Sequence, residues 1–121
     1  MKIAIIGASK DRSKFSNKAV RAYKDLDHVV FPVNPHEKEI EGLICYQSVL
    51  EIPLEVDVAS VYLPPEIGLK VTDDIIKKGI KKVYLNPGAD SDQIISKLRE
   101  NKVEVLLLCS IRALGVDPDS I

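Results

Sequence analysis

At 121 residues, 45% hydrophobic and 29% charged, the chain has the size of one domain with a real core and is neither disordered nor fibrous in composition. A net charge of -1 points to neither nucleic acid nor a membrane surface, and no apolar run approaches membrane-spanning length. The opening MKIAIIGAS is too short for a signal peptide, and Cys45 and Cys109 make neither a disulfide framework nor a zinc site, which places the chain in a reducing cytoplasm with no membrane association.

Lys2–Ile6 is a continuous apolar run, as expected of a strand buried on both faces of a parallel sheet. Gly7-Ala8-Ser9 ends it, and a polar loop follows through Lys14. The spacing of Ala19, Ala22, Tyr23 and Leu26 predicts a helix over 16–26 with Ser16 as N-cap. Val29–Val33 is the second strand, stopped by Asn34-Pro35. A short third strand is expected at Leu43–Tyr46, then a helical turn from Ser48. Val56–Leu63 is the central strand. Pro64-Pro65 suits the first turn of a helix, where a missing N–H does no harm. That helix runs to Lys78 with Ile67, Val71 and Ile75 inward and Gly79 as its C-cap. Lys82–Leu85 is a strand, Asn86-Pro87-Gly88 a turn, and Ser91–Glu100 a helix burying Ile94, Ile95 and Leu98. Val103–Leu108 is the last strand. The alternation predicts a Rossmann-like, doubly wound α/β domain in three layers, α/β/α. Its parallel sheet would have about six strands in the order 3-2-1-4-5-6.

In such sheets ligands bind beyond the carboxyl ends of the strands, where strand order reverses. Gly7-Ala8-Ser9, Val33-Asn34-Pro35, Tyr62-Leu63-Pro64-Pro65 and Asn86-Pro87-Gly88 share that rim, although turns of this composition also simply end strands. A glycine directly after strand one lets the backbone curl under a phosphate, and Ser9 adds a hydroxyl. The next helix aims free N–H groups at an anion. The segment carries Lys10, Arg12, Lys14, Lys18, Arg21 and Lys24 against Asp11 and Asp25. Arg12, and after it Lys14, stand near enough to that helix end to meet a diphosphate. A dinucleotide fingerprint would need glycines where Ser9 and Arg12 stand, and an acid where strand two ends in Val33-Asn34-Pro35. NAD is disfavoured on both counts. A ribose bearing an extra phosphate is tolerated, with His36 and Lys38 as nearby partners.

The segments IAIIGASKDRSKFSNKAV, VVFPVNPHEKEIEGLICYQSV, DVASVYLPPE and VYLNPGAD, with LLLCSIR a weaker match, resemble those of the CoA-binding domain family. That family includes small stand-alone proteins and the N-terminal domain of succinyl-CoA synthetase alpha subunits and ADP-forming acyl-CoA synthetases. The resemblance implies coenzyme A, or an acyl-CoA, as the ligand. Gly7, Ala8 and Ser9 would bind its pyrophosphate with help from Arg12 and the turn near Asn17. Val33, Asn34 and Pro35 would line the adenosine side, with Tyr62, Leu63 and Pro64 closing over adenine and ribose. Asn86, Pro87 and Gly88 would border the pantetheine arm. Two departures stand out: Asn86 replaces another polar residue, and the basic residue expected after Pro35 is displaced to Lys38.

In the synthetases such a domain supplies only the CoA site, so a non-catalytic binding role is expected. His28 reads as structural or exposed, and His36 as exposed or a ligand contact. Asp73-Asp74 reads as solvated charge on an outer helix face, and Glu66 as a helix N-terminal acid. Cys109, at the end of the last strand, either caps the core or forms a mixed disulfide with a ligand thiol; Cys45 reads as packing. Two other functions compete: an NADP-dependent oxidoreductase or redox sensor, and the CoA-binding subunit of a split acyl-CoA synthetase. A protein partner or a homo-oligomer is left open.

Overall fold

A computed structural model describes residues 1–121. In chain order its elements are β1 (Lys2–Ile6), α1 (Phe15–Asp25), β2 (Val29–Val33), β3 (Glu39–Ile40), β4 (Leu43–Ile44), β5 (Val58–Val61), α2 (Pro65–Lys78), β6 (Lys82–Leu85), α3 (Asp92–Glu100) and β7 (Glu104–Leu106). Five strands form one parallel sheet in the order β2-β1-β5-β6-β7, the doubly wound arrangement expected. None of the helices is long and apolar enough to cross a membrane.

The layers follow from alternation along the strands. Ile3 and Ile5 of β1 face Ala19, Val20 and Tyr23 of α1. Ala4 and Ile6 face the opposite layer, where Ile75 of α2 and Ile94 and Leu98 of α3 pack. Ile3, Ala4 and Ile5 have no exposed surface, which is why β1 needs an unbroken apolar run. Each fully buried aliphatic side chain contributes about 1.5–3 kcal/mol, so both faces are needed to hold the sheet.

The sheet has five strands where about six were expected. Leu43–Ile44 does not join it as the third strand; it pairs antiparallel with Glu39–Ile40. The connecting residues, Glu41 at φ +51° and Gly42 at φ +76°, have the two left-handed conformations of a type I′ hairpin turn. Only Tyr46 reaches β2, as a lone parallel bridge to Val33. Its N–H donates to the Pro32 carbonyl at 2.9 Å, and its carbonyl accepts from the Asn34 N–H at 2.9 Å. One ladder step back, the next donor would be the N–H of residue 32, and proline has none. The third strand therefore ends where it begins.

Other boundaries shift. Helix α1 is capped by Lys14, not Ser16, and makes no side-chain cap bond. Ser16 is buried inside the first turn, and Leu26 lies outside the packed face, half exposed. Helix α2 buries Gly68, Thr72 and Ile75. Of the other expected inward residues, Val71 packs against the core while also lining a cleft, whereas Ile67 turns to the cleft and is 50% exposed. After β7 the chain folds back over α1: the Tyr23 hydroxyl donates to the Ser110 carbonyl at 2.8 Å, and Lys18 Nζ to the Pro118 carbonyl at 2.8 Å.

Strands β1 and β5 are neighbours, with chain order running away from them in both directions, so the switch point lies between their carboxyl ends. Gly7 stands there at φ +86°, and a Cβ on it would lie 2.7 Å from the Tyr62 carbonyl oxygen and 2.9 Å from Leu63 Cδ2. The space beside Gly7 is thus filled by the protein itself, not left for a ligand phosphate. A Gly7→Ala variant should lose at least about 1–3 kcal/mol of stability without any ligand present. Urea denaturation checks this, and an unchanged midpoint would show that the loop has slack.

Candidate functional site

Three clefts lie side by side along the carboxyl rim. The first, about 340 Å³, is walled by Ile6, Val33, Val49, Leu63, Ile67 and Val71. Gly7, Asn34, Pro35, His36, Gln47, Ser48 and Asp74 complete it. The second, about 260 Å³, lies between Tyr62-Leu63-Pro64 and Pro87-Gly88-Ala89. The third, about 300 Å³, is lined by Phe15, Tyr62, Asn86, Pro87, Cys109 and Arg112. Leu63 belongs to the first two, and Tyr62 and Pro87 to the last two, so the clefts adjoin in a row, each sharing a wall with the next. A further hollow of about 390 Å³, by Asp57 and Lys81, lies at the other end of the sheet, and none of the candidate binding residues lines it.

The first crossover loop is braced from behind. The amides of Gly7 and Ala8 both donate to the Val33 carbonyl, at 3.0 and 3.1 Å, so neither N–H is available to a phosphate. Ala8 is fully buried and bears on the rim only through its carbonyl, which accepts from Asn34 Nδ2 at 2.8 Å. The first loop amides without a partner in the chain are those of Ser9 and Lys10. The Ser9 hydroxyl accepts from the Asp11 N–H at 3.0 Å and keeps its own proton to donate. Hydrogen bonds from Ser13 hold the Asp11 carboxyl below its ordinary pKa.

The three asparagines of the rim are cross-braces. Asn17 is fully buried; it donates to the Ser9 carbonyl at 2.9 Å and to the Glu41 carboxylate at 3.2 Å, and accepts from Arg21 Nε at 2.8 Å. Asn34 ties the β1 loop to the β2 loop and accepts from the His36 N–H at 2.8 Å. Asn86 donates to the Ser60 hydroxyl and the Val61 carbonyl, at 2.8 and 2.9 Å, and accepts from the Ser110 N–H at 2.9 Å. Each matches its amide to neighbouring backbone, so these residues fix the strand ends in place.

Among the basic candidates, Arg12 is exposed, with Nε 3.8 Å from the Glu41 carboxylate. Lys10 pairs with Glu37 at 3.0 Å, and Lys14 is exposed. Pairs of this kind, open to solvent on the basic side, contribute about 0–1 kcal/mol, so either cation changes partner at little cost. Lys38 stays outside the lining of all three clefts, whereas His36 stands in the first. His28 is half buried, its Nδ1 3.2 Å from the terminal amine and its ring 5.4 Å from that of Tyr23. Asp73 is exposed and pairs with Lys97 of α3, but Asp74 departs from the expected solvated pair and lines the first cleft.

A buried hydroxyl cluster supports the middle of this row of clefts. Ser110 Oγ lies 2.7 Å from Ser60 Oγ and 3.1 Å from Tyr62 Oη. Neither serine was singled out from sequence; the available signal was a hydroxyl inside the apolar run of Val58–Val61. Phe15 and Arg112 were also missed, being brought beside Cys109 by the fold-back of the tail. Burial pushes the Tyr62 phenol up to about 12, against a smaller opposing effect of its hydrogen bond to Ser110. Burial raises Tyr23 as well. A phenol with a raised native pKa favours the folded state while it is neutral. The stability it contributes is complete below the ordinary value of 10 and is lost as pH climbs through about 12. Urea midpoints on either side of pH 10 should show this fall, and Tyr62→Phe should flatten part of it; an equally steep fall in the variant would acquit Tyr62.

The family described as CoA binding domain matches residues 1–114. An ADP-forming acetate–CoA ligase of Methanocaldococcus jannaschii is 34% identical over 114 residues, 93% of this chain and 16% of that protein. The chain thus spans about a sixth of the length of this curated relative. A conserved hypothetical protein from Pyrococcus furiosus superposes with a TM-score of 0.86 at 39% identity, covering 93% of this chain and 97% of that one. A dinucleotide-forming acetyl-coenzyme A synthetase of Candidatus Korarchaeum cryptofilum, in its apo form, gives 0.78 at 31% identity, covering 87% and 25%. With the family matched over almost its entire length, this chain belongs to the CoA-binding domain family.

Proposed function

We infer that this chain is one non-catalytic binding unit for coenzyme A or an acyl-CoA. The observation that carries this reading is the row of adjoining clefts, apolar at one end, sharing Tyr62, Leu63 and Pro87 as walls, and ending beside Cys109. CoA has that sequence of parts: a purine, a diphosphate, and a long arm ending in a thiol. Adenine and ribose suit the first cleft, between Val33-Asn34-Pro35 and Leu63. The diphosphate suits the unpartnered amides of Ser9 and Lys10, the Ser9 hydroxyl and the Arg12 side chain, with Lys14 at the edge. The arm then crosses Tyr62, Pro64, Pro87 and Gly88 toward Cys109. Gly7, Ala8, Asn17 and Asn86 serve by shaping the rim, and His36 is better placed than Lys38 to meet a 3′-phosphate. The rim's asparagines are committed to contacts within the chain, whereas Ser9 keeps a hydroxyl proton for a ligand. Both cysteines are free thiols, in keeping with a reducing cytoplasm.

A second reading has support from the relatives: the chain corresponds to about a sixth of ADP-forming acetate–CoA ligases, as a CoA-holding subunit of a divided synthetase would. Co-purification of a catalytic chain would favour it over a stand-alone binder.

For either reading, CoA at about a hundred times its Kd should add roughly 2.7 kcal/mol of stability, with NADP adding far less. Calorimetric titration of Arg12→Ala should give affinity weaker by about fivefold with an unchanged melting temperature. No stabilisation of the wild type by CoA would remove the reading, and equal affinity in the variant would remove Arg12.

A further inference from the structure

The first cleft has a polarity that the walls alone do not explain. Its polar lining consists of Asn34, His36, Gln47, Ser48 and Asp74. Asn34 is committed at both ends of its amide, and Ser48 Oγ caps the Leu50 N–H at 3.1 Å. His36 and Gln47 are exposed. Asp74 alone is half buried and yet pairs with no cation and accepts no hydrogen bond within the chain. It continues the stripe of Ile67 and Val71 along α2, more than two turns into the helix from its rim-side N-terminus.

The Asp74 oxygens keep their access to solvent, so a ligand that covers them must supply a donor in place of water. The carboxylate also repels phosphates, which Lys10, Arg12 and Lys14 attract at the Gly7 end. The cleft therefore presents an acceptor-only group on its α2 side, while the cations of the crossover loop stand outside its lining, beyond Gly7, and a nucleotide spanning the two has one favourable orientation. We propose that Asp74 is a specificity-determining residue that receives the exocyclic amine of the purine, selecting an amino-bearing base and directing the diphosphate to the crossover loop. This rests on the reading of the clefts as a CoA site.

The test is a double-mutant cycle on the full chain, using CoA and a CoA analogue in which hydrogen replaces the 6-amino group of adenine. In the wild type, removing the amine should weaken binding about tenfold, the scale of a hydrogen bond to a charged acceptor. In Asp74→Ala, the two ligands should bind equally. Asp74 is partly exposed on a helix and alanine favours helix, so the variant should fold; its melting curve without ligand verifies this. If the amine is worth the same in both proteins, the assignment of Asp74 is wrong while the CoA reading stands. If CoA itself fails to bind the wild type, both are overturned.

Discussion

The close approach of β1 and β5 at Gly7 is the constraint on which the rest of the site depends. The Tyr62 N–H donates to the Ile6 carbonyl at 2.9 Å, and the Tyr62 carbonyl then occupies the space that a side chain on residue 7 would need. The same few atoms join β1 to β2, because Gly7 and Ala8 both donate to Val33. Three strand ends are thereby locked together, and the chain leaves each of them in a fixed direction. The clefts are the gaps between those departures. Gly7 matters because two strands pass too closely there for any other residue.

The polar groups around this lock divide by burial. Those underneath are all satisfied, as buried polar groups must be: Asn86, Ser60 and Ser110 by one another and the backbone, and Asn17 by the Ser9 carbonyl, Glu41 and Arg21. Their reach extends across the chain: Ser110 lies in the tail, yet touches the side chains of Ser60 and Tyr62 and receives the hydroxyl of Tyr23. Those on top are exposed cations with weak, replaceable partners. A rigid floor with exchangeable charges above it is an economical way to bind an anion, since ordering occurs on folding and only the surface pairs change on binding.

Much of this was legible in the sequence. The layers and the strand order followed from apolar runs alternating with helical spacing, and the rim turns from glycine, proline and asparagine at the strand ends. The third strand was misread because Leu43–Tyr46 has strand composition. The stop signal, Pro32, lies in its partner and acts through a missing donor. The inward face of α2 was misread at Ile67, which is apolar yet half exposed beside the cleft, a difference that periodicity does not register. The asparagines were seen as rim residues, but whether an amide faces a ligand or its own backbone depends on contacts between segments far apart in sequence. Asp74 was hidden by Asp73, since neighbours on a helix point in different directions and only the fold shows which one meets the cleft.

The central claim is that a CoA diphosphate lies against the amides that the braced loop leaves free, with its purine between β2 and α2. Amide NMR during titration with CoA tests this most directly. Saturable shifts at Ser9 and Lys10, together with Val33, Leu63 and Val71, are the expected result. Shifts confined to the hollow by Asp57 and Lys81, with those five resonances unmoved, would contradict it.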